Sequence, residues 1–143
     1  MPIKQLSVFV ENEFGRLSDI TQTLTDHAID IRALSIADTT HFGVLRLIVS
    51  DPDRALQVLK DNSFAVSLTQ VAAVRLDDEP GALNKVLQAL KRHDIGVEYA
   101  YAFITRKADD AYLILRVEHL NDAVKALERE GFALLPESDV YAL

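Results

Sequence analysis

A seven-residue pattern occurs twice in this chain and constrains its fold more than any other feature. Glu11-Asn12-Glu13-Phe14-Gly15-Arg16-Leu17 follows the apolar run Leu6 to Val10, and Asp77-Asp78-Glu79-Pro80-Gly81-Ala82-Leu83 follows Val71 to Leu76. In both, an extended run stops at acidic and turn-forming residues, a glycine lets the backbone bend, and an amphipathic segment starts at once. Such a strand-loop-helix corner leaves backbone N–H groups free at a helix N-terminus. They carry partial positive charge and suit an anionic group such as an amino-acid carboxylate.

The rest of each half falls into the same order. Ile3 to Val10 reads as a strand; Leu17, Ile20, Leu24 and Ala28 line one face of a helix; Ile29 to Ala37 and Val44 to Val49 form a hairpin turned by Asp38 to Gly43. Asp51-Pro52-Asp53 starts a short helix that ends near Asn62, and Phe64 to Thr69 is a further strand. The order then restarts with a strand over Val71 to Leu76, a helix on Leu83, Val86, Leu87 and Leu90, and a strand over Ile95 to Thr105. A polar turn over Arg106 to Asp110, a strand over Ala111 to Val117, a helix on Leu120, Ala123, Val124 and Leu127, and a last strand over Phe132 to Leu135 complete it.

Gly15, Leu17, Ile20, Leu24, His27 and Ile29 align with Gly81, Leu83, Val86, Leu90, His93 and Ile95 at one offset. Ala55, Leu59 and Phe64 align with Ala123, Leu127 and Phe132 at an offset two residues larger, which places the length difference in the second hairpin turn. The expected fold class is α+β: two ferredoxin-like βαββαβ units in tandem, spanning 1–70 and 71–143, each an antiparallel sheet with helices on one face.

Composition narrows the chemistry. The 143 residues, 49% of them hydrophobic, suffice for one domain or two small ones. The net charge of -7 is shared: the first 70 residues hold 6 Lys and Arg against 9 Asp and Glu, the remainder 9 against 13. Lys91-Arg92 and Arg106-Lys107 are isolated basic pairs, which argues against nucleic acid as a partner. The absence of cysteine removes disulfides, thiolate metal sites and cysteine nucleophiles. The first residues lack a signal peptide's apolar core and no run approaches the ~20 apolar residues of a membrane span. The expectation is a soluble cytoplasmic protein with no membrane partner.

Catalytic signatures are weak. His27 and His93 sit at equivalent helix ends, where a cationic side chain suits the C-terminal partial charge; His41 lies in a turn and His119 at a helix start. No His-x-x-x-His pair appears, so no metal or cofactor is expected. The seven serines lack an elbow motif, and the pairs Asp77-Asp78 and Asp109-Asp110 fall in polar turns. The chain is expected not to be an enzyme.

With these residues in view, both halves resemble ACT domains, amino-acid-sensing modules attached to many biosynthetic enzymes, and together they resemble a stand-alone tandem ACT protein. The resemblance implies a non-catalytic regulatory protein that binds an amino acid between two domains, against the first loop of one and the second strand of its neighbour. It also implies a homodimer and a regulated activity on a separate enzyme or regulator chain.

Carried over, the candidate ligand-binding residues are Asn12, Glu13, Phe14, Gly15, Arg16 and Leu17 with Asp30 and Ile31 in the first half. In the second half they are Asp78, Glu79, Pro80, Gly81, Ala82 and Leu83 with Gly96 and Val97. Family contacts include an Asn three residues before the glycine and another fifteen after it; here those positions hold Asn12 and Asp30, then Asp78 and Gly96. Asp30 would accept from a ligand ammonium while the Gly15 loop takes the carboxylate, at about 1.5–3 kcal/mol per charge-assisted hydrogen bond. Phe14 reads either as a lid on the pocket or as a hydrophobic staple, and Arg16 as a carboxylate contact or a solvated arginine. Phe14, Leu17 and Ile31 suit a branched-chain or aromatic side chain, though histidine or serine would satisfy the same polar anchors. The other reading is a protein-protein assembly adaptor of ACT fold without a small ligand.

Overall fold

The computed structural model describes residues 2–11, 13–38, 41–104 and 111–142. The chain divides into two units that follow the repeat. The first comprises Lys4–Thr69; the second comprises Gln70–Tyr141 together with Pro2 and Ile3.

In the first unit, β1 (Ile3–Glu11) leads into α1 (Arg16–Asp26), then β2 (Ile31–Asp38), β3 (Phe42–Val49), α2 (Pro52–Asp61) and the start of β4 (Ala65–Leu76). The strands are ordered β2-β3-β1-β4, with β3 antiparallel to both neighbours. Alternation decides which face is buried: Leu6 and Val8 on β1 lie opposite Leu47 and Leu45 on β3, and all four join Ile20 and Leu24 of α1 and Ala55 and Leu59 of α2 in one core. Each fully buried aliphatic side chain contributes about 1.5–3 kcal/mol. Asp51 caps α2 as its residue type suggests, its Oδ1 accepting from the Arg54 N–H at 3.2 Å, with Pro52 in the first turn.

The second unit repeats the plan with β4, α3 (Ala82–Arg92), β5 (Val97–Ile104), β6 (Ala111–Val117) and α4 (Leu120–Arg129), in the strand order β4-β6-β5. Val74 and Leu113, and Ala72 and Leu115, are direct partners; Val74, Leu113 and Leu115 pack with Val86, Leu90, Ala123 and Leu127.

Several element bounds differ from expectation, each for a local reason. The strands expected over Phe64 to Thr69 and Val71 to Leu76 are one twelve-residue strand, β4, because Gln70 supplies no break. Both hairpins begin two residues late: the N–H groups of Ile29 and Ile95 are still bonded to Leu24 and Leu90 at 3.0 Å, which ties these residues to the preceding helix ends. The last strand shrinks to a single bridge between Leu134 and Val74, flanked by the bonds Arg75 N to Ala133 O and Leu135 N to Ala73 O at 2.9 Å. Pro136 follows, has no N–H to continue the ladder, and precedes a short helix, α5 (Glu137–Tyr141), that the periodicity did not reveal. The turn over Arg106 to Asp110 lies outside the described residues. No helix among the described residues is long and apolar enough to cross a membrane.

Candidate functional site

The two corners have the same backbone geometry. After β1, the Glu13 N–H donates to Glu11 O at 2.7 Å, the Arg16 N–H to Glu13 O at 3.3 Å and the Asp19 N–H to Gly15 O at 2.9 Å. After β4, Glu79 donates to Asp77 at 2.9 Å, Ala82 to Glu79 at 3.3 Å and Lys85 to Gly81 at 3.0 Å. Gly15 and Gly81 are the N-caps of α1 and α3, in the left-handed region at φ 83° and 90°. A glycine N-cap brings no side-chain acceptor, so the first turn is left without the usual cap bond.

Beside the first corner lies a cleft of about 240 Å³ lined by Val10, Glu11, Glu13, Leu17, Ile36, Gly43 and Leu45. Its walls come from the end of β1, the start of α1 and the facing ends of β2 and β3. Apolar residues form most of them, and Glu11 and Glu13 are the acidic residues of the lining. Of the residues singled out in the sequence, Glu13 and Leu17 come together here, around the Gly15 turn. Val10, Glu11, Ile36, Gly43 and Leu45 were not anticipated; Ile36 falls in a strand legible from its residues, but only the strand register shows that it reaches the corner.

The other candidates are placed as follows. Phe14 is fully exposed and makes no staple against α1. Arg16 lies back on its own unit: its guanidinium is 5.0 Å from the centroid of the Phe64 ring and 3.7 Å from Asp19. Asp30 and Ile31 sit at the opposite end of β2, where Ile31 pairs with Val49, whereas Glu11 pairs with Phe42 near the corner. Along a strand that is roughly 20 Å away. Asp30 is also engaged, its carboxylate accepting from Arg32 at 2.8 Å and its backbone exchanging bonds with Ser50. Asn12 lies outside the described residues.

In the second unit Asp78, Glu79, Pro80 and Gly81 are exposed and Glu79 pairs with Lys85 at 3.3 Å. Ala82 is buried in the core while Leu83 stays exposed. Gly96 precedes β5 and the half-open Val97 begins it, again far from the corner; nothing lies within 4 Å of where a Gly96 Cβ would sit.

The histidines divide by environment. His27 and His93 do end α1 and α3, but His27 Nδ1 lies 2.8 Å from Thr23 O, whereas His93 Nε2 lies 3.4 Å from Glu130 Oε1. Glu130 also accepts two hydrogen bonds from Arg92, Nη2 to Oε2 at 2.8 Å and Nε to Oε1 at 3.3 Å. The Arg92 hydrogen bonds, seconded by His93, hold the Glu130 carboxyl below the usual carboxylate range and raise Arg92 in turn. Among the described residues no group of three or more His, Asp or Glu is arranged to hold a metal ion.

Two ferredoxin-like units, each with a glycine-capped strand-to-helix corner, form a tandem α+β architecture. Residues 1–142 match the ACT domain pair, and the chain belongs to that family. A pair of ACT domains is a regulatory domain type. Among solved structures, protein BT0572 from Bacteroides thetaiotaomicron is 41% identical, with 100% of this chain and 98% of that one covered and a TM-score of 0.94. The regulatory subunit of aspartate kinase from Thermus thermophilus shares the fold at 15% identity, covering 92% and 94% with a TM-score of 0.67. That of Thermus flavus does so at 16% identity, covering 90% and 92% with a TM-score of 0.62. No curated protein matches the sequence.

Proposed function

We propose that this chain is a non-catalytic, cytoplasmic regulatory protein that binds a small amino acid at its strand-to-helix corners. The observation that carries the reading is the cleft beside Gly15, whose lining joins the apolar Val10, Leu17, Ile36 and Leu45 to the acidic Glu11 and Glu13 at the start of α1. The N–H groups of α1 would take the carboxylate, and Val10, Leu17, Ile36 and Leu45 would surround an apolar side chain. The ammonium would meet Glu11 or Glu13 from the same corner. Asp30 and Ile31, at the far end of β2, would contribute to the ligand only from a neighbouring domain, which links this reading to a homodimer. The second corner, with Asp78 to Leu83, Gly96 and Val97, is a further candidate of the same geometry. Ligand binding would then favour one arrangement of the assembly and alter a partner enzyme or regulator, at a coupling of about 1–3 kcal/mol.

A thermal-shift screen against the twenty amino acids tests this. A ligand at about 100 times its Kd adds about 2.7 kcal/mol, a rise of several degrees. The expected result is a selective shift that an Asn12→Ala, Asp30→Ala variant and a Leu17→Asp variant lose. The assembly adaptor is the competing reading, favoured by the exposure of Phe9, Phe14, Leu34, Ile36 and Phe42. No shift with any amino acid would select it.

A further inference from the structure

The two units are filled differently beside their second helices. In the first, Leu6 belongs to the core, and Leu56 and Leu68 pack against it. At the offsets of the repeat, these three positions hold Ala72, Val124 and Pro136 in the second unit. Each replacement has fewer side-chain carbons, and all three residues line a cleft of about 290 Å³ that lies within that unit. Pro136 also leads into α5, so no strand runs on where β4 carries Leu68 in the first unit.

The cleft is largely apolar. Its other walls are Val71 and Ala73 of β4, the α4 residues Leu120, Asn121 and Glu128, the segment 134–135, and Ile3 with Pro2. Interiors are close-packed, so space left by shortened side chains beside a core is open to a ligand. Its volume falls at the lower end of small-molecule sites, about 300–1,000 Å³.

Charge selects the occupant. Asn121, Val124 and Glu128 follow one another at spacings of three and four along one face of α4, with Glu128 roughly 10 Å along the axis from Asn121. Glu128 is the charged residue of the lining among the described residues. It stands where the first unit has Lys60, so the repeat reverses the sign of charge at this point. Among the described residues no cation pairs with it.

We propose that this cleft binds a short aliphatic amine, the ammonium paired with Glu128 and the hydrocarbon chain lying along Val124 against Ala72 and Leu134. Apolar walls disfavour a ligand charged along its length, and the glutamate disfavours an aliphatic anion of the same shape. The cleft shares no residue with the one beside Gly15. The site therefore stands or falls independently of the amino-acid reading.

Hexylamine, hexanol and hexanoate share one chain and differ in head group. Each is titrated into the isotope-labelled full chain and followed by backbone amide chemical shifts. Hexylamine is expected to give saturable shifts centred on residues 71–73, 120–128 and 134–136, hexanol to bind at least roughly tenfold more weakly, and hexanoate not to bind. Ala72→Leu, which restores the first unit's residue, is expected to abolish the shifts, and Glu128→Gln to lower hexylamine to the affinity of hexanol. Circular dichroism checks that both variants fold; Glu128 is exposed, so its variant keeps the test intact should Ala72→Leu not fold. Shifts that do not saturate, or that centre elsewhere, would overturn the site. Equal affinity for hexylamine and hexanol in the parent chain would overturn the pairing with Glu128 and the amine with it.

Discussion

Gly15 and Gly81 hold one backbone state at one point in two repeats: each caps a helix in the left-handed region, at φ 83° and 90°, and each accepts the N–H four residues on. A Cβ built at either meets nothing within 4 Å. Crowding is therefore not why glycine stands there; the dihedral is.

It follows that Gly15→Ala and Gly81→Ala should each cost about 1–2 kcal/mol through backbone strain alone. Thermal unfolding should show a drop of several degrees for each. Gly15→Asn should cost less, since asparagine tolerates this region. An unchanged melting temperature in Gly15→Ala would mean the corner relaxes out of the left-handed state.

The reverse substitution applies at the other ends of the helices. Ala28 and Asp94 occupy φ 55° and 56° just after the C-caps His27 and His93, a place that glycine usually takes. Ala28→Gly should raise stability by about 0.5–1 kcal/mol, measured by urea denaturation, because relief of strain outweighs the added chain entropy. α4 already has Gly131 at φ 88° there, so Gly131→Ala should do the opposite.

Much of this architecture was legible in the residues. Gly15 and Gly81 announced the corners, and the spacing of Leu17, Ile20 and Leu24 against Leu83, Val86 and Leu90 announced equivalent helices, because backbone dihedrals and helix periodicity are local properties. The candidate site was less legible. Asp30 counts fifteen residues from Gly15, but β2 starts at the far end of the sheet from the corner, and a strand's direction follows from pairing that no local pattern encodes. Phe14 looks like a lid or a staple by residue type and is solvent-exposed, while Gly43 and Leu45 enter the cleft only through the β1–β3 register. Pro136 shortened the last strand because one missing N–H ended a ladder that the apolar run Phe132 to Leu135 would otherwise support.

Acid should act on the second unit through Glu130. Its folded carboxyl titrates below the ordinary value of 4.5, chiefly because Arg92 hydrogen-bonds it and, less, because His93 does. A carboxylate depressed in the folded state contributes stability above its unfolded pKa, and that contribution disappears as pH falls through the folded one. Glu130→Gln should accordingly narrow the gap in melting temperature between pH 7 and pH 3, with the difference from the parent chain largest near neutral pH. Both groups are solvent-exposed, so the effect should shrink in high salt. An equal gap in the variant would remove Glu130 from the acid response.

Leu24 and Leu90 are repeat-equivalent, almost wholly buried, and each sits in a separate core, the first with Leu6, Ile20, Leu45 and Leu59, the second with Val74, Val86, Leu115 and Leu127. Leu24→Ala and Leu90→Ala should each cost about 2–5 kcal/mol, since each removes buried aliphatic volume and leaves a cavity. Their consequences for the corners should differ. Leu24 is on the helix that Gly15 starts, so its loss should loosen the first corner and weaken any amino acid bound there, while Leu90→Ala should spare that affinity at temperatures where the chain is still folded. Calorimetric titration of both variants with a ligand from the thermal-shift screen reads this directly. Equal loss in the two would mean that binding depends on both cores, and the Gly15 cleft would lose its place as the leading site.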